Sequence, residues 1–144
     1  MTHSFGIDEA HDLLGRAFAP WVQALGLRAE GFDAEGGDFI LPASDALYRV
    51  APGSSPILCG QAIAAAADTV SVLALAALNG RYRNLTTVDL TCHFLRPLGG
   101  GDTAIRLTAL SNGRRMATTR AEFRQGTGGK LGATVTCAFA YLED

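Results

Sequence analysis

The residue with the clearest chemical potential is Asp68, the only charged residue between Ile57 and Gly80 in the stretch ILCGQAIAAAADTVSVLALAALNG. An ionised carboxylate inside an apolar helix is costly unless it has a partner or a task. One such task is to orient or activate a water molecule. The small alanine side chains around Asp68 let a second element, a second subunit or a ligand come close. What faces Asp68 therefore decides its role.

Backbone N–H groups at the start of the same helix are a second source of chemistry. The first turn of a helix has N–H groups without an intrahelical partner and carries a partial positive charge. Gly60 and Gln61 are therefore suitable donors to an oxygen that becomes negative during a reaction. A structural alternative stays open, in which Gly60 is a close-packing glycine and Asp68 is hydrogen-bonded to a neighbouring strand or solvated at an interface.

The three cysteines, Cys59, Cys92 and Cys137, are odd in number and lack any CxxC spacing. We therefore expect neither a disulfide framework nor a zinc site. A reducing, cytoplasmic location fits this usage. Cys59 and His93 resemble a nucleophile and a base in type, but no sequence feature brings them together, so we expect both to be structural.

Composition limits the class of protein. With 144 residues the chain fits one domain, residues 1–144, with one core. Its hydrophobic share of 48% is slightly high for a small monomer, and burial in a homo-oligomer, a dimer or a dimer of dimers, would account for it. A net charge of −2 without a lysine or arginine run argues against nucleic-acid binding, because neutralising phosphates needs a basic surface.

The N-terminal half predicts a helix followed by a hairpin. Apolar residues recur at helical spacing over residues 7–25, interrupted at Pro20, and the early acids argue against a secretory signal. Residues 27–32 and 38–41 look like two short strands around a Gly36-Gly37 turn.

A loop then leads to a long helix. Residues 42–56 contain three prolines, and Tyr48 and Arg49 are the conspicuous side chains of this loop. The apolar stretch of residues 57–78 is long enough to cross a bilayer. Its polar residues and its alanine content favour a buried central helix instead, since the strands that follow need a helix to cover them. Asn79-Gly80 is a helix stop signal.

After this helix the apolar period changes from about 3.6 to 2, which predicts strands. Strict alternation in the first strand places Thr86 on the face of Val88 and Leu90, and Thr87 on the opposite face. Asn112-Gly113 is a strong hairpin turn. The pattern predicts an α+β fold in which an antiparallel sheet wraps one long central helix. The predicted strands are residues 84–95, 102–110, 114–124 and 131–141.

The order of these elements, helix, hairpin, long central helix and a four-strand meander, resembles the hotdog fold. The segments GQAIAAAADTV, TTVDLTCHFLRP, GGGD, NGRR and GKLGATVTCAF resemble those of small acyl-CoA thioesterases related to the phenylacetate-pathway thioesterase. The resemblance runs from about Ala51 to the C-terminus. It implies a hydrolase that acts on an acyl-CoA thioester without a metal or organic cofactor.

In that family the long helix opens with His-Gly-Gly, and a carboxylate lies eight residues after the first glycine. Gly60 and Asp68 match these positions, and Thr87 matches a hydroxyl residue that assists in relatives. The resemblance thus implies that the acid directs water and that the Gly60 backbone polarises the thioester carbonyl. Three positions depart from the pattern: Cys59 replaces the histidine, Gln61 the second glycine, and Gly53 an upstream asparagine.

Helix geometry adds a condition to this assignment. Eight residues of α-helix span about 12 Å, so Gly60 and Asp68 of one chain are too far apart to act on one carbonyl carbon. We therefore expect a two-fold dimer in which Gly60 of one chain faces Asp68 of the other. Whether Thr86 or Thr87 supplies the supporting hydroxyl stays open, since a bulge or the dimer interface could reconcile alternation with the family match.

Coenzyme A carries phosphates, so its binding site needs cations at its mouth. The residues selected as substrate-binding candidates are Cys59 and Gln61 near the helix start, Arg81 and Arg83 after the helix, and Arg114 and Arg115 in the predicted turn. Two other functions remain open: a non-catalytic acyl-CoA-binding hotdog protein, and a hotdog enoyl-CoA hydratase or dehydratase. The acyl group and the pathway cannot be read from the sequence.

Overall fold

The computed structural model describes residues 5–126 and 128–143. A six-stranded antiparallel sheet, in the order β1-β2-β6-β7-β8-β5, packs one face against a long helix, and β3 and β4 form a separate pair. The helices are α1 (Ile7–Ala17), α2 (Pro20–Gln23) and α3 (Gly60–Asn79). The strands are β1 (Arg28–Phe32), β2 (Gly36–Leu41), β3 (Tyr48–Arg49), β4 (Ile57–Leu58), β5 (Leu85–Phe94), β6 (Thr103–Asn112), β7 (Met116–Gln125) and β8 (Leu131–Tyr141).

Helix α3 is the core of the molecule. Five of its eight alanines are buried and the other three are partly buried, and their small side chains let the helix lie close to the sheet, where it contacts β2, β5, β6, β7 and β8. The helix ends at Gly80, whose φ of 77° is the left-handed conformation that glycine tolerates best. By length and composition α3 could cross a membrane, but it is the buried core helix of this fold. The predicted α+β architecture with a wrapped central helix is confirmed.

The N-terminal prediction was wrong in its details. The helix ends at Ala17 instead of continuing to Leu25, and Pro20 opens the short α2. Ala19, directly before Pro20, is held in an extended backbone and cannot continue the helix. The β1–β2 hairpin forms, but its turn lies at residues 33–35. Gly36 belongs to β2 instead, because a Cβ there would lie 1.8 Å from the carbonyl oxygen of Leu107 on β6. The glycine is needed for close strand approach, not for the turn.

Asp33 closes this turn. Its carboxylate accepts hydrogen bonds from the N–H groups of Glu35 and Gly36 and from Arg106 on β6. These donors, the Arg106 guanidinium above all, lower the pKa of Asp33 to about 2. The hairpin is therefore fixed to the sheet by an acid that stays ionised.

The predicted four-strand meander was also wrong. Strands β6, β7 and β8 are consecutive neighbours, but β5 pairs with β8 at the end of the sheet and not with β6. The Asn112-Gly113 turn is confirmed, with the Gly113 N–H donating to the carbonyl of Met116. One edge of β5 is consequently left without a neighbouring strand in the described protein.

A buried polar cluster joins α3 to the sheet. Ser71 and Thr119 are both fully buried, and their hydroxyl oxygens lie 2.8 Å apart. Ser71 donates its proton to the carbonyl of Ala67, so Thr119 must be the donor of the shared bond. Cys137 lies beside them, and burial raises the pKa of its thiol to about 11. Ser71 is thus the strong acceptor for Thr119, and the Cys137 sulfur is a weaker one.

This proton order gives a prediction about stability. Ser71→Ala removes the hydroxyl acceptor of Thr119 and leaves it only the weaker Cys137 sulfur, so it should lower the free energy of unfolding by about 1–3 kcal/mol. Thr119→Val should cost less, because Ser71 keeps its bond to Ala67. The double variant should be more stable than Ser71→Ala alone. Urea unfolding of the four proteins measures this, and a double variant less stable than Ser71→Ala would contradict the assigned donor.

Candidate active site

The start of α3 presents unpaired backbone donors to a cavity. Cys59 is the N-cap residue, and its side chain makes no capping hydrogen bond, so it does not cover the N–H groups of the first turn. Gly60 follows, and a Cβ on it would lie 3.2 Å from the Phe94 ring of β5. Gly60 and Phe94 line a cavity of about 390 Å³. Gln61, the next residue, is exposed.

Asp68 lies two turns further along the helix, where β5 passes beside it. The Thr87 hydroxyl donates a 2.7 Å hydrogen bond to Oδ1 of Asp68. Since this bond occupies one carboxylate oxygen, Oδ2 is left to bind another group. Both residues line a smaller cavity of about 260 Å³, together with Phe18 and Tyr82. The structure thus brings the predicted acid and the predicted hydroxyl residue together.

A β-bulge decides which threonine faces the acid. The register between β5 and β8 shifts between Thr87 and Asp89, with Thr87 opposite Phe139 and Asp89 opposite Ala138. Opposed residues in an antiparallel pair point to the same face, and Phe139 is fully buried on the helix side. Thr87 therefore faces α3, and Thr86 faces away. Strict alternation gave the opposite result because the bulge inserts one residue into the strand.

Gly60 and Asp68 do not meet within one chain. They are separated by eight residues of helix, about 12 Å, and line different cavities. His93 lies opposite Thr134 on the outer face of β5, whereas Phe94 faces the helix. Cys59 and His93 are therefore on different sides of the sheet, and the structure does not make them a nucleophile and base.

The predicted arginines occupy the opposite end of the molecule from Gly60. Arg83, Arg114 and Arg115 line one surface cleft of about 660 Å³ with Glu143. Arg83 bonds to the Glu143 carboxylate and to the carbonyls of Gly113 and Arg114, and stacks 3.6 Å above the Tyr141 ring. Arg81 also pairs with Glu143.

Glu143 compensates part of the positive charge in this cleft. The hydrogen bonds from Arg83 and Arg81 lower the pKa of the Glu143 carboxyl, so it is negatively charged at neutral pH. Arg83 in particular donates to Glu143, just after β8, and to two carbonyls of the β6–β7 turn, and so connects these two segments. Arg114 and Arg115 remain the less engaged cations of the cleft.

Residues that the sequence reasoning gave no role line the Gly60 cavity. Arg49 and Arg96 open into it, and its walls are otherwise apolar side chains such as Ile63, Phe94 and Leu98. Arg49 had stood out only as a charge in a loop rich in proline. The sequence analysis did not connect it to Gly60, because it treated residues 42–56 as a loop and missed the short β3–β4 pairing that brings Arg49 there.

Comparisons with solved structures identify the fold. A thioesterase from Haemophilus influenzae superposes with a TM-score of 0.81 at 19% identity, covering 99% of this chain and 94% of that chain. A phenylacetic acid degradation-related protein from Ralstonia eutropha gives 0.74 at 27% identity, covering 91% and 98%. A conserved protein from Pseudomonas aeruginosa gives 0.73 at 26% identity, covering 87% and 95%. The comparison with curated proteins found no match.

The family model described as Thioesterase superfamily matches residues 57–131, just over half of the chain. This segment runs from β4 to the start of β8 and contains Gly60, Asp68 and Thr87. The hotdog fold predicted from the sequence is thereby confirmed. The chain belongs to the Thioesterase superfamily and is a hotdog-fold hydrolase that acts on thioesters.

Proposed function

We propose that the protein is an acyl-CoA thioesterase of the phenylacetate-pathway type, which works as a dimer or a dimer of dimers. Asp68 directs the attacking water, and the Gly60 N–H of the other chain polarises the thioester carbonyl. The observation that carries this proposal is the hydrogen bond from Thr87 to Asp68. It holds one carboxylate oxygen, leaves the other for water, and fixes the acid beside the open edge of β5.

The exposed edge strand supports a dimer. Strand β5 is at the end of the sheet, and Val88, Leu90 and Phe94 are 53%, 37% and 58% exposed. A long apolar strand with an unpaired edge is a template for pairing with another chain. Two copies of β5 paired antiparallel about a two-fold axis would form one continuous sheet and cover these side chains.

The positions of Gly60 and Asp68 restrict where this axis lies. An axis at Thr91, which then lies opposite its own copy, keeps opposed side chains on the same face of the sheet. Because the bulge adds one residue between Thr87 and Asp89, this axis places Phe94 opposite Thr87 of the partner subunit, with Cα atoms about 5 Å apart. Both side chains face the helix layer, as opposed residues must. Because Phe94 contacts Gly60 and Thr87 holds Asp68, each Gly60 then lies near Asp68 of the partner subunit, and the dimer has two composite sites.

The reaction follows from this arrangement. Water adds to the thioester carbon while Asp68 accepts its proton, and the carbonyl oxygen that becomes negative is bound by the Gly60 N–H. The C–S bond then breaks, the CoA thiolate leaves, and the proton is returned to the thiolate. Free acid and CoA are the products. One pre-aimed N–H donor contributes about 3 kcal/mol to lowering the barrier.

The relative from Ralstonia eutropha supports the phenylacetate-type assignment, because its name places it with phenylacetic acid degradation and its fold covers 91% of the chain. The departures at Cys59 and Gln61 change side chains and leave the Gly60 backbone N–H in place. Gly53 has a φ of 80°, a conformation that asparagine also tolerates, so this departure leaves the loop backbone type unchanged.

The function is tested by incubating the protein with a panel of aromatic and aliphatic acyl-CoAs and measuring free thiol. Thiol release with recovery of the free acid is expected. Binding of acyl-CoA without thiol release would instead identify a binding protein. Addition of water to an enoyl-CoA without thiol release would identify a hydratase.

The role of Asp68 predicts the effect of Asp68→Asn. This variant should fold normally, with an unchanged melting temperature, and its kcat should fall at least about a hundredfold, because the amide is no base. Asp89→Asn is the matched control, since Asp89 is an exposed acid on β5 whose side chain lies on the face of the sheet away from α3. Near-normal turnover of Asp68→Asn would refute the assignment.

The bulge predicts different effects for the two threonines. Thr87→Val should lower kcat about tenfold, because the carboxylate loses a hydrogen bond that fixes it, and Thr87→Ser should restore most of the rate. Thr86→Val should leave kcat unchanged. Steady-state kinetics of the three variants check this. A larger loss for Thr86→Val than for Thr87→Val would be incompatible with the observed register.

The role of the Gly60 N–H can be isolated because Gly60 is the first residue of the helix. Proline is favoured at this position and removes only an N–H that makes no intrahelical bond, and Cys59 already has the extended backbone that precedes proline. Gly60→Pro should lower kcat about a hundredfold relative to Gly60→Ala, which adds the same Cβ against Phe94 but keeps the donor. Equal rates would argue against the oxyanion role.

The same variant tests whether the site uses two chains. Gly60→Pro and Asp68→Asn chains, refolded together in equal amounts, form mixed dimers that each hold one intact composite site. About a quarter of the wild-type activity should return, since half of the dimers are mixed and each has one working site of two. A mixture no more active than its separate components would show that both residues act within one chain.

A further inference from the structure

The strongest unassigned feature of the molecule is the pair of arginines in the Gly60 cavity. Arg49 lies on β3 and pairs with Ile57 of β4, three residues before Gly60. Arg96 follows Phe94 by two residues, and its guanidinium donates to the carbonyl of Leu131 at 3.1 Å. Among the described residues that line this cavity there is no carboxylate. The cavity therefore has two positive charges that no acid in its walls balances.

The charge balance of this cavity differs from that of the cleft at the other end. In the cleft, Glu143 pairs with both Arg81 and Arg83, and Arg83 spends its donors on protein carbonyls. The guanidinium of Arg49, in contrast, makes no hydrogen bond or ion pair with any residue that the structure describes. An arginine held on a strand beside an apolar cavity, with its planar donor fork unused, is suited to bind phosphate or carboxylate oxygens.

A second unpaired group lies on the same hairpin. The Tyr48 hydroxyl is the buried side-chain polar atom that lacks a hydrogen-bond partner within the described residues. It lines a cavity of about 760 Å³ that shares Ile57, Pro97 and Leu98 with the Gly60 cavity. A buried hydroxyl without a partner is costly, so such groups often mark a position that a ligand or water completes. The β3–β4 hairpin thus presents both an unpaired charge and an unpaired hydroxyl along one continuous wall.

We propose that Arg49 and Arg96 bind the diphosphate of coenzyme A, at the Gly60 end of the chain that polarises the carbonyl. The inference rests on the proposed acyl-CoA substrate. It assigns the phosphates to the Gly60 cavity instead of the arginine cleft near Glu143. The apolar Gly60 cavity then holds the pantetheine arm.

The dimensions of the substrate agree with this placement. Thirteen bonds separate the sulfur of CoA from its first phosphorus, about the length of four extended residues or 14 Å. Three residues of chain and one strand pairing separate Gly60 from Arg49, so their Cα atoms are at most about 16 Å apart. The exposed position of both arginines suits a diphosphate that stays partly in water, since a buried anion would require full desolvation.

Binding measurements test the proposal without requiring turnover. Titration calorimetry with CoA should show an affinity about tenfold lower for Arg49→Gln than for the wild type, and Arg49→Lys should recover part of the loss. Pantetheine, which lacks the phosphates, should bind both proteins equally. Arg28→Gln is the matched control, because Arg28 is an exposed arginine on β1 outside these cavities, and it should leave CoA affinity unchanged.

Three results would overturn the proposal. Unchanged CoA affinity in Arg49→Gln would remove the subsite. A loss of CoA affinity in Arg114→Gln or Arg115→Gln larger than in Arg49→Gln would return the phosphates to the cleft. A loss confined to CoA thioethers that carry a carboxylated acyl group would assign the arginines to the acyl group. Arg49-dependent CoA binding without hydrolysis of any thioester would support this inference and contradict the proposed function, so the two can fail separately.

Discussion

The hydrogen bond between Thr87 and Asp68 connects the core helix to the last strand of the sheet, and the geometry of the site depends on it. A carboxylate in the middle of a buried helix must find a partner or water. Asp68 finds its partner because β5 passes it at the point where the sheet ends, so that one carboxylate oxygen is held and the other is accessible. The acid is fixed in position without being neutralised by a positive charge.

Other polar side chains of α3 meet the same constraint in ways that leave no chemistry available. Thr69 donates back to the carbonyl of Ala65 within the helix, and Ser71 is bonded on both sides, to Ala67 and to Thr119. These groups are buried and their hydrogen-bonding capacity is used locally. Asp68 differs in its chemistry, since a carboxylate cannot donate back to a helix carbonyl, and in its position, on the side of the helix that faces the sheet edge. Both the residue type and the topology therefore leave Asp68 available.

The parts of the fold that the sequence predicts are those set by local periodicity. The limits of α3 and β8 follow from the 3.6 and 2.0 periods and from the stop at Gly80. The position of β5 beside β8 could not be predicted, because strand pairing is decided by contacts distant in sequence. The side of the sheet that Thr87 faces was also beyond reach, since one bulge residue reverses every later side chain.

The candidate site residues also differ in whether local sequence alone could identify them. Asp68 and Gly60 were found because each is unusual for its local context, a charge in an apolar helix and a glycine at its first turn. The arginines were chosen by charge alone, and charge alone does not reveal a partner. Arg83 is paired with Glu143, sixty residues away, whereas the Arg49 side chain has no partner in the part of the chain that the structure describes, and the neighbouring sequence does not indicate either outcome. Only the fold shows which cations are already balanced.

The two ends of the site on α3 carry opposite charge, which explains why the proposed dimer sets the two helices antiparallel. The N-terminal end carries free N–H donors, the helix dipole and the arginines of the Gly60 cavity, all of which attract negative oxygen. The acid lies eight residues further on, too far to weaken that attraction strongly within one chain. A two-fold axis through β5 reverses one helix relative to the other and brings the donor end of each against the acid of its partner. Water activation requires a negative group, and oxyanion binding requires a positive one. In the dimer both groups act on one substrate, whereas within each protomer they stay too far apart to neutralise each other.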